Sequence, residues 1–187
     1  KAGAGIKMLR DRKAYECLLM EGSDILNEVE YCPKPVIAAI DGYTFGGGCE
    51  LALACDMRVA STKSQFGQLE INLGIIPSAG GTQRLQRLVG IAKAKELILT
   101  GDIIDAHEAF RLGLVNKVVE PEQVMDTTKE LAKKIIKKGP IAITLAKTAI
   151  NVGSNTDIFG GLIFERYAQS IAFATEVVNV PNLIEMQ

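Results

Sequence analysis

The sequence has almost no net charge: 21 Lys and Arg stand against 22 Asp and Glu, a balance of −1. This excludes the global basic field that drives nucleic-acid binding. A local basic cluster remains at Lys133, Lys134, Lys137 and Lys138; favourable interaction with a helix C-terminus explains most of it, leaving one or two lysines to meet a phosphate. No uninterrupted apolar stretch reaches the roughly 18 residues that span a bilayer, so a soluble protein without a membrane partner is expected. The four cysteines, Cys17, Cys32, Cys49 and Cys55, lack both disulfide-scaffold density and zinc spacing. No metal is expected. Cys49 and Cys55 read as small core hydrophobes, and a reducing compartment, cytoplasm or mitochondrial matrix, fits best. His107, the single histidine, has no Ser, Cys or Asp constellation near it in sequence and reads as a surface residue. There is no initiator Met; the opening Lys1-Ala2-Gly3-Ala4-Gly5 resembles a loop inside a domain rather than a cleavable signal.

What is present is a chain of 187 residues with 48% apolar and 23% charged positions. A domain of this size buries roughly 70% of its unfolded surface, which excludes intrinsic disorder and favours one domain with a helical appendage. Charged and apolar positions from 6 to 30 recur at roughly helical spacing and predict one long surface helix, ended by Pro33 and Pro35. The run Val36 to Ile40 predicts a strand buried on both faces, in the middle of the fold. After Gly46-Gly47-Gly48, the stretch Cys49 to Cys55 is apolar all round apart from Glu50 and predicts a buried helix opened by glycines. A short run from Met57 to Ala60 leads on to Phe66-Gly67-Gln68-Leu69-Glu70. A second glycine turn, Pro77 to Gly81, precedes a helix over 82–89, with Ser78 or Thr82 as its cap. Downstream, helices are expected over 91–100 and 105–112, with an Asp105/Glu108 capping box and Gly113 as the stop. A strand over 114–119 follows, then helices from Pro121 to Lys138, over 141–152 and over 157–175. The order predicts a mixed α/β core, residues 1–120, with a C-terminal helical region, residues 121–187.

Chemistry concentrates at the glycine triplet. Free backbone N–H groups and the positive end of a helix dipole meet there with no side chain to block an anion. The triplet is neither a dinucleotide fingerprint nor a P-loop. Glu50, in the first helical turn, would repel a bound phosphate but can work beside an oxyanion that exists only transiently, such as an enolate. Close packing of helix and strand is the alternative reading of the glycines. Glu50 is the only charged residue between Asp41 and Asp56, and buried ionised groups are usually paired or used; its alternative is a helix N-terminal Glu tied to backbone donors. Glu70 is the natural second carboxylate, since the intervening chain permits the two to meet, and its alternative is a solvated surface residue.

These motifs together carry a resemblance. Lys34-Pro35-Val36-Ile37-Ala38-Ala39-Ile40-Asp41-Gly42, the triplet with Cys49-Glu50-Leu51, Phe66-Gly67-Gln68 with Glu70, Gly74-Ile75-Ile76-Pro77, and Gly80-Gly81-Thr82-Gln83-Arg84-Leu85 resemble the enoyl-CoA hydratase (crotonase) family. The segments 105–106 and 112–115 are also similar to it. The resemblance implies an α/β crotonase-like fold, a ββα spiral with C-terminal helices across the core, and assembly into homo-trimers or pairs of trimers. It implies hydration of a trans-2-enoyl-CoA by two acids, Glu50 and Glu70, with oxyanion-hole N–H groups at Ala4 and Gly47. Coenzyme A would enter as part of the substrate, with no separate cofactor. Ala2, Ala4, Gly5, Ile6 and Lys7, with Gly46 and Gly47, match the substrate-binding positions, and Lys7 matches a phosphate contact. Gly5 stands where the family usually has Asp, and Leu69 where Pro is common. Family members begin several strands before Lys1 and carry a basic C-terminal helix where this chain has 177–187. An isomerase on the same scaffold would use one acid to shuttle a proton, and the acid pair argues against it; a non-catalytic or RNA-binding member is disfavoured by that pair and the neutral charge.

Overall fold

The computed structural model describes residues 13, 15 and 22–175. Of the helix expected over 6–30, Gly22–Glu30 (α1) is helical, as is Tyr15; the rest of that reading lies outside the described residues. The chain divides into two compact units, one running as far as Glu130 and the other comprising Pro33–Pro35 and the chain from Leu131.

The first unit is built from a repeated path. β1 (Ile37–Ile40) and β2 (Tyr43–Phe45) lead into helix α2 (Gly47–Ala54), and the chain returns as β3 (Met57–Ser61) and β4 (Gln65–Gly67). β3 lies parallel to β1, with Ile37 opposite Met57, and β4 lies parallel to β2, with Tyr43 opposite Gln65. Each pass adds one strand to each of two sheets and leaves through a helix, which is the expected strand-strand-helix spiral. β6 (Lys117–Val119) closes the first sheet on the far side of β3, and β5 (Ile104–Asp105) adds to the second sheet in the antiparallel sense.

One expectation is reversed. The strand in the middle is β3, not β1: Val59, Ala60 and Ser61 are fully buried, whereas β1 reaches a buried state only at Ile40 and exposes Ala39. Among the described residues β3 has neighbours on both sides and β1 has β3 on one side, which accounts for the difference in burial. The buried Arg58 obscures this in the sequence. Its guanidinium donates to the carbonyls of Leu114 at 2.6 Å, Ala52 at 2.9 Å and Cys55 at 2.6 Å. Ala52 and Cys55 lie at the end of α2, where the Ala52 carbonyl also accepts from the Cys55 N–H at 3.3 Å, so the cation meets the carbonyls of the last turn and sits at the favourable end of the helix dipole.

The core joins Cys49, Ala52 and Leu53 of α2 to Phe66 and to residues of three further helices. These are α3 (Gly81–Val89), α4 (Ile91–Thr100) and α5 (Ala106–Arg111). Each large side chain buried there contributes about 1.5–3 kcal/mol. Asp105 caps α5 as expected, accepting from the Glu108 N–H at 2.8 Å. The reciprocal half of the capping box is absent, because the Glu108 carboxylate pairs with Arg111. The cap of α3 is Gly80 without a side-chain bond, not Ser78 or Thr82. Cys55 is only half-buried, so the core reading holds for Cys49 alone. His107 and the four clustered lysines are exposed.

A 3₁₀ turn at Pro121–Gln123 leads into α6 (Val124–Ile136), which crosses from the first unit into the second. In the second unit, α7 (Pro140–Gly153) and α8 (Ile158–Phe173) follow. Asp157 caps α8 by accepting from the Gly160 N–H at 2.9 Å. Thr144 of α7 donates to the Pro33 carbonyl at 3.0 Å, tying the early prolines to this unit. Among the described residues no helix is long and apolar enough to cross a membrane.

Candidate active site

The site forms where β2 ends and α2 begins. Gly46 turns the chain between them: its N–H donates to the Gly67 carbonyl of β4 at 3.0 Å, and its own carbonyl accepts from the Glu50 N–H at 2.9 Å. Gly47 then opens α2, where the helix has no internal acceptor for its N–H. The short hydrogen-bonded link between Gly46 and Gly67 also sets the distance between the two acids, since Glu70 follows β4 directly. Glu70 begins a 3₁₀ turn, Glu70–Leu73, and its Oε1 lies 2.9 Å from where a Cβ on Gly46 would be. Permission from spacing has become juxtaposition.

Glu50 is 3% exposed. The bland expectation for it, a carboxylate tied to backbone donors, is half right: the donors are there, but they belong to another element. Oε1 accepts from the N–H of Ala79 at 2.7 Å and of Gly81 at 2.8 Å. Glu70 is held differently, by a hydrogen bond from its own backbone N–H. Its Oε2 is buried and without a hydrogen-bond partner among the described residues. Burial raises its pKa above the usual 4.5, and the nearby Glu50 charge adds to the rise.

Cys49, which feels the charge of both acids, is not a nucleophile. Burial, reinforced by the charges of Glu70 and Glu50, pushes its thiol up to about 12, so the thiolate is absent at neutral pH. Among the described residues there is no cluster of three or more His, Cys, Asp or Glu able to hold a metal. What converges here is two carboxylates of contrasting environment and a helix N-terminus, a set suited to moving protons and stabilising a developing anion.

Of the residues singled out in the sequence, Glu50, Glu70, Gly46 and Gly47 come together. Ala2, Ala4, Gly5, Ile6 and Lys7 lie outside the described residues. Sequence reading missed four participants. The backbone donors at Ala79 and Gly81 were seen only as a glycine turn. Gln68 was named only as part of the stretch leading to Glu70, yet its amide is fully buried with neither polar atom paired among the described residues, and it packs against Gly81. Arg84 was read as a helix residue; it braces that same turn.

The architecture is that of the crotonase fold. An Enoyl-CoA hydratase/isomerase family pattern matches residues 1–178, and the chain belongs to this family. It is 49% identical over 177 residues to the short-chain-enoyl-CoA hydratase of Clostridium acetobutylicum, covering 94% of this chain and 68% of that protein. It is 47% identical, with the same coverage, to the crotonyl-CoA hydratase of Syntrophomonas wolfei. The crystal structure of an enoyl-CoA hydratase from Bacillus anthracis superposes with a TM-score of 0.89 at 44% identity, over 94% of this chain and 69% of that one.

Proposed function

We propose that this chain is an enoyl-CoA hydratase, adding water across the 2,3 double bond of a trans-2-enoyl-CoA to give a 3-hydroxyacyl-CoA, or catalysing the reverse dehydration. The observation that carries the mechanism is the unequal treatment of two adjacent carboxylates. Glu50, held by two backbone N–H groups, suits the role of base for the attacking water. Glu70, whose pKa burial raises, suits the role of proton donor to C2. Coupled acids share their titration, so the roles belong to the pair. As C3 is attacked, negative charge grows on the thioester oxygen. The N–H of Gly47 is offered to it at the start of α2, with Ala4 as the second donor in this reading. Coenzyme A arrives as part of the substrate, and these groups need no further cofactor.

The relatives above act, by their names, on short-chain and crotonyl thioesters, which supports a short acyl chain. Both are bacterial, which supports the cytoplasm over the mitochondrial matrix. The exposed apolar residues of α8, among them Ile158, Phe159, Leu162 and Phe173, support assembly into a homo-trimer or hexamer; light scattering giving a monomer would refute that assembly. The reaction itself is tested with a four-carbon trans-2-enoyl-CoA, following loss of the enoyl thioester absorbance. Glu50→Gln and Glu70→Gln are each expected to lower turnover by roughly 10²–10⁴-fold. Near-normal turnover in either variant refutes the two-acid mechanism. A 3-enoyl-CoA converted without hydration would instead indicate the isomerase.

A further inference from the structure

We infer that Arg84 is a positioning residue for Glu50, acting through the Ala79–Gly81 turn; this rests on the reading of Glu50 as one of the two working acids. Glu50 takes its two hydrogen bonds from a turn rather than from its own helix, so its carboxylate is only as well placed as that turn. Arg84 holds the turn from behind. Its Nη1 donates to the Ala79 carbonyl at 2.9 Å. That carbonyl belongs to the peptide joining residues 79 and 80, and the peptides on either side carry the two N–H groups that bind Glu50 Oε1. The clamped unit is therefore the hinge between both donors.

The rest of the guanidinium is fixed as well. Nε donates to Glu30 Oε2 at 2.7 Å, and Nη2 donates to Asn27 Oδ1 at 2.7 Å. Asn27 and Glu30 are three residues apart at the end of α1 and share one face of it. The planar fork thus spans two helices and the turn, with only 11% of the side chain exposed, a geometry that Arg supplies and Lys does not.

Two features argue that the role concerns the turn and not the helix. A cation in the first turn of α3 stands at the unfavourable end of the helix dipole, so helix stability does not explain it. Gly80, at φ +101°, lies against Nη1 so closely that any Cβ there would displace the guanidinium. Linking α1 to α3 would need only the bonds to Glu30 and Asn27; the contact with Ala79 is the one that bears on Glu50.

A double-mutant cycle on the full chain tests this, with kcat, KM and melting temperature measured for wild type, Arg84→Gln, Arg84→Lys, Glu50→Gln and the Glu50→Gln/Arg84→Gln double variant. Displacing an acid from its working position by about 1 Å costs on the order of 10–100-fold in kcat. That loss is expected for Arg84→Gln with little change in KM, and only partial recovery is expected for Arg84→Lys. In the Glu50→Gln background the same change should cost less than about twofold, because a residue that acts through Glu50 has nothing left to position. Losses that multiply in the double variant, or that appear in KM, overturn the inference while leaving the two-acid reading intact. Full turnover in Glu50→Gln overturns that reading, and the inference with it. Should Arg84→Gln fail to fold, Arg84→Lys carries the same cycle.

Discussion

Replacing Gly46 by Ala should damage the fold and the site by separable routes. The residue adopts φ 53° and ψ −126°, a combination that an L side chain adopts only under strain. Relaxation is blocked on both sides, because its N–H is bonded to Gly67 and its carbonyl to the Glu50 N–H. Rotating either peptide away would give up a hydrogen bond worth about 1 kcal/mol. The backbone strain therefore persists, at a cost of about 1–3 kcal/mol. For a chain of this size each kcal/mol moves the melting temperature by roughly 2–4 °C, so a drop of about 4–8 °C follows from the middle of that range.

The new methyl group would also stand 2.9 Å from Glu70 Oε1. That atom is the far end of a flexible side chain and moves aside at little cost in stability, but what moves is the acid. Turnover is thus expected to fall by roughly 10–100-fold in protein that is still folded at the assay temperature. Differential scanning calorimetry and the enoyl-thioester assay read the two effects separately. Gly153→Ala is the control: nothing lies within 4 Å of its added Cβ, and Ala in place of Gly at the end of α7 should raise stability by about 0.5–1 kcal/mol. A Gly46→Ala protein that melts with the wild type and turns over normally would refute both steps of the reasoning.

Arg58→Met should be among the most destabilising single changes, since it removes the buried donor to the carbonyls of Leu114, Ala52 and Cys55, of which Ala52 keeps a bond from the Cys55 N–H; a loss of about 3 kcal/mol or more is expected, read as a lower urea midpoint at unchanged slope. Glu70→Gln should stabilise the folded chain at neutral pH. Burial raises the Glu70 pKa above 4.5, so from that pH upward the unfolded state loses its proton more readily and ionisation progressively favours unfolding. The gain from Gln should therefore appear above pH 4.5 and vanish below it; a gain that is the same at pH 4 and pH 8 would contradict the assignment. Cys49, with its thiol pushed up to about 12, should resist alkylation at pH 8 in the native protein, and mass mapping of a labelled Cys49 under those conditions would show the site to be open.

Legibility in the sequence followed the physical origin of each feature. Helix α2 was readable because apolar good helix formers run unbroken behind a glycine triplet, and Glu50 was conspicuous as the one charge within it. The cap at Asp105 obeys local rules and was found at its position; the helix expected from 157 begins there, with Asp157 as a cap that the reading did not name. The middle strand was misplaced because a buried Arg interrupts the apolar pattern, and only the folded structure brings its three carbonyl acceptors together. The donors to Glu50 were invisible for a different reason. Backbone N–H groups are carried by nearly every residue, so the composition of the turn at 77–81 says that the chain bends there but not what its amides face. Arg84 was obscured likewise, since its partners lie 54 and 57 residues away.

The contrast between the acids follows from where each is attached. Two carboxylates in one buried site repel, and ionising both there is costly. A site that anchored both equally would leave neither ready to exchange a proton. Here Glu50 projects from a buried helix toward a braced turn and is fixed by two N–H groups. Glu70 stands at the start of a 3₁₀ turn, where the burial of Oε2 goes without a hydrogen bond among the described residues. An unpaired buried oxygen costs stability in the resting protein, and the cost falls when water or substrate supplies the missing partner. The disadvantage to folding is thus also a preference for the occupied site. The division of labour proposed for the pair follows what holds each carboxylate: two amides of a braced turn for the base, and for the acid that must give up its proton a side chain with one oxygen unpaired among the described residues.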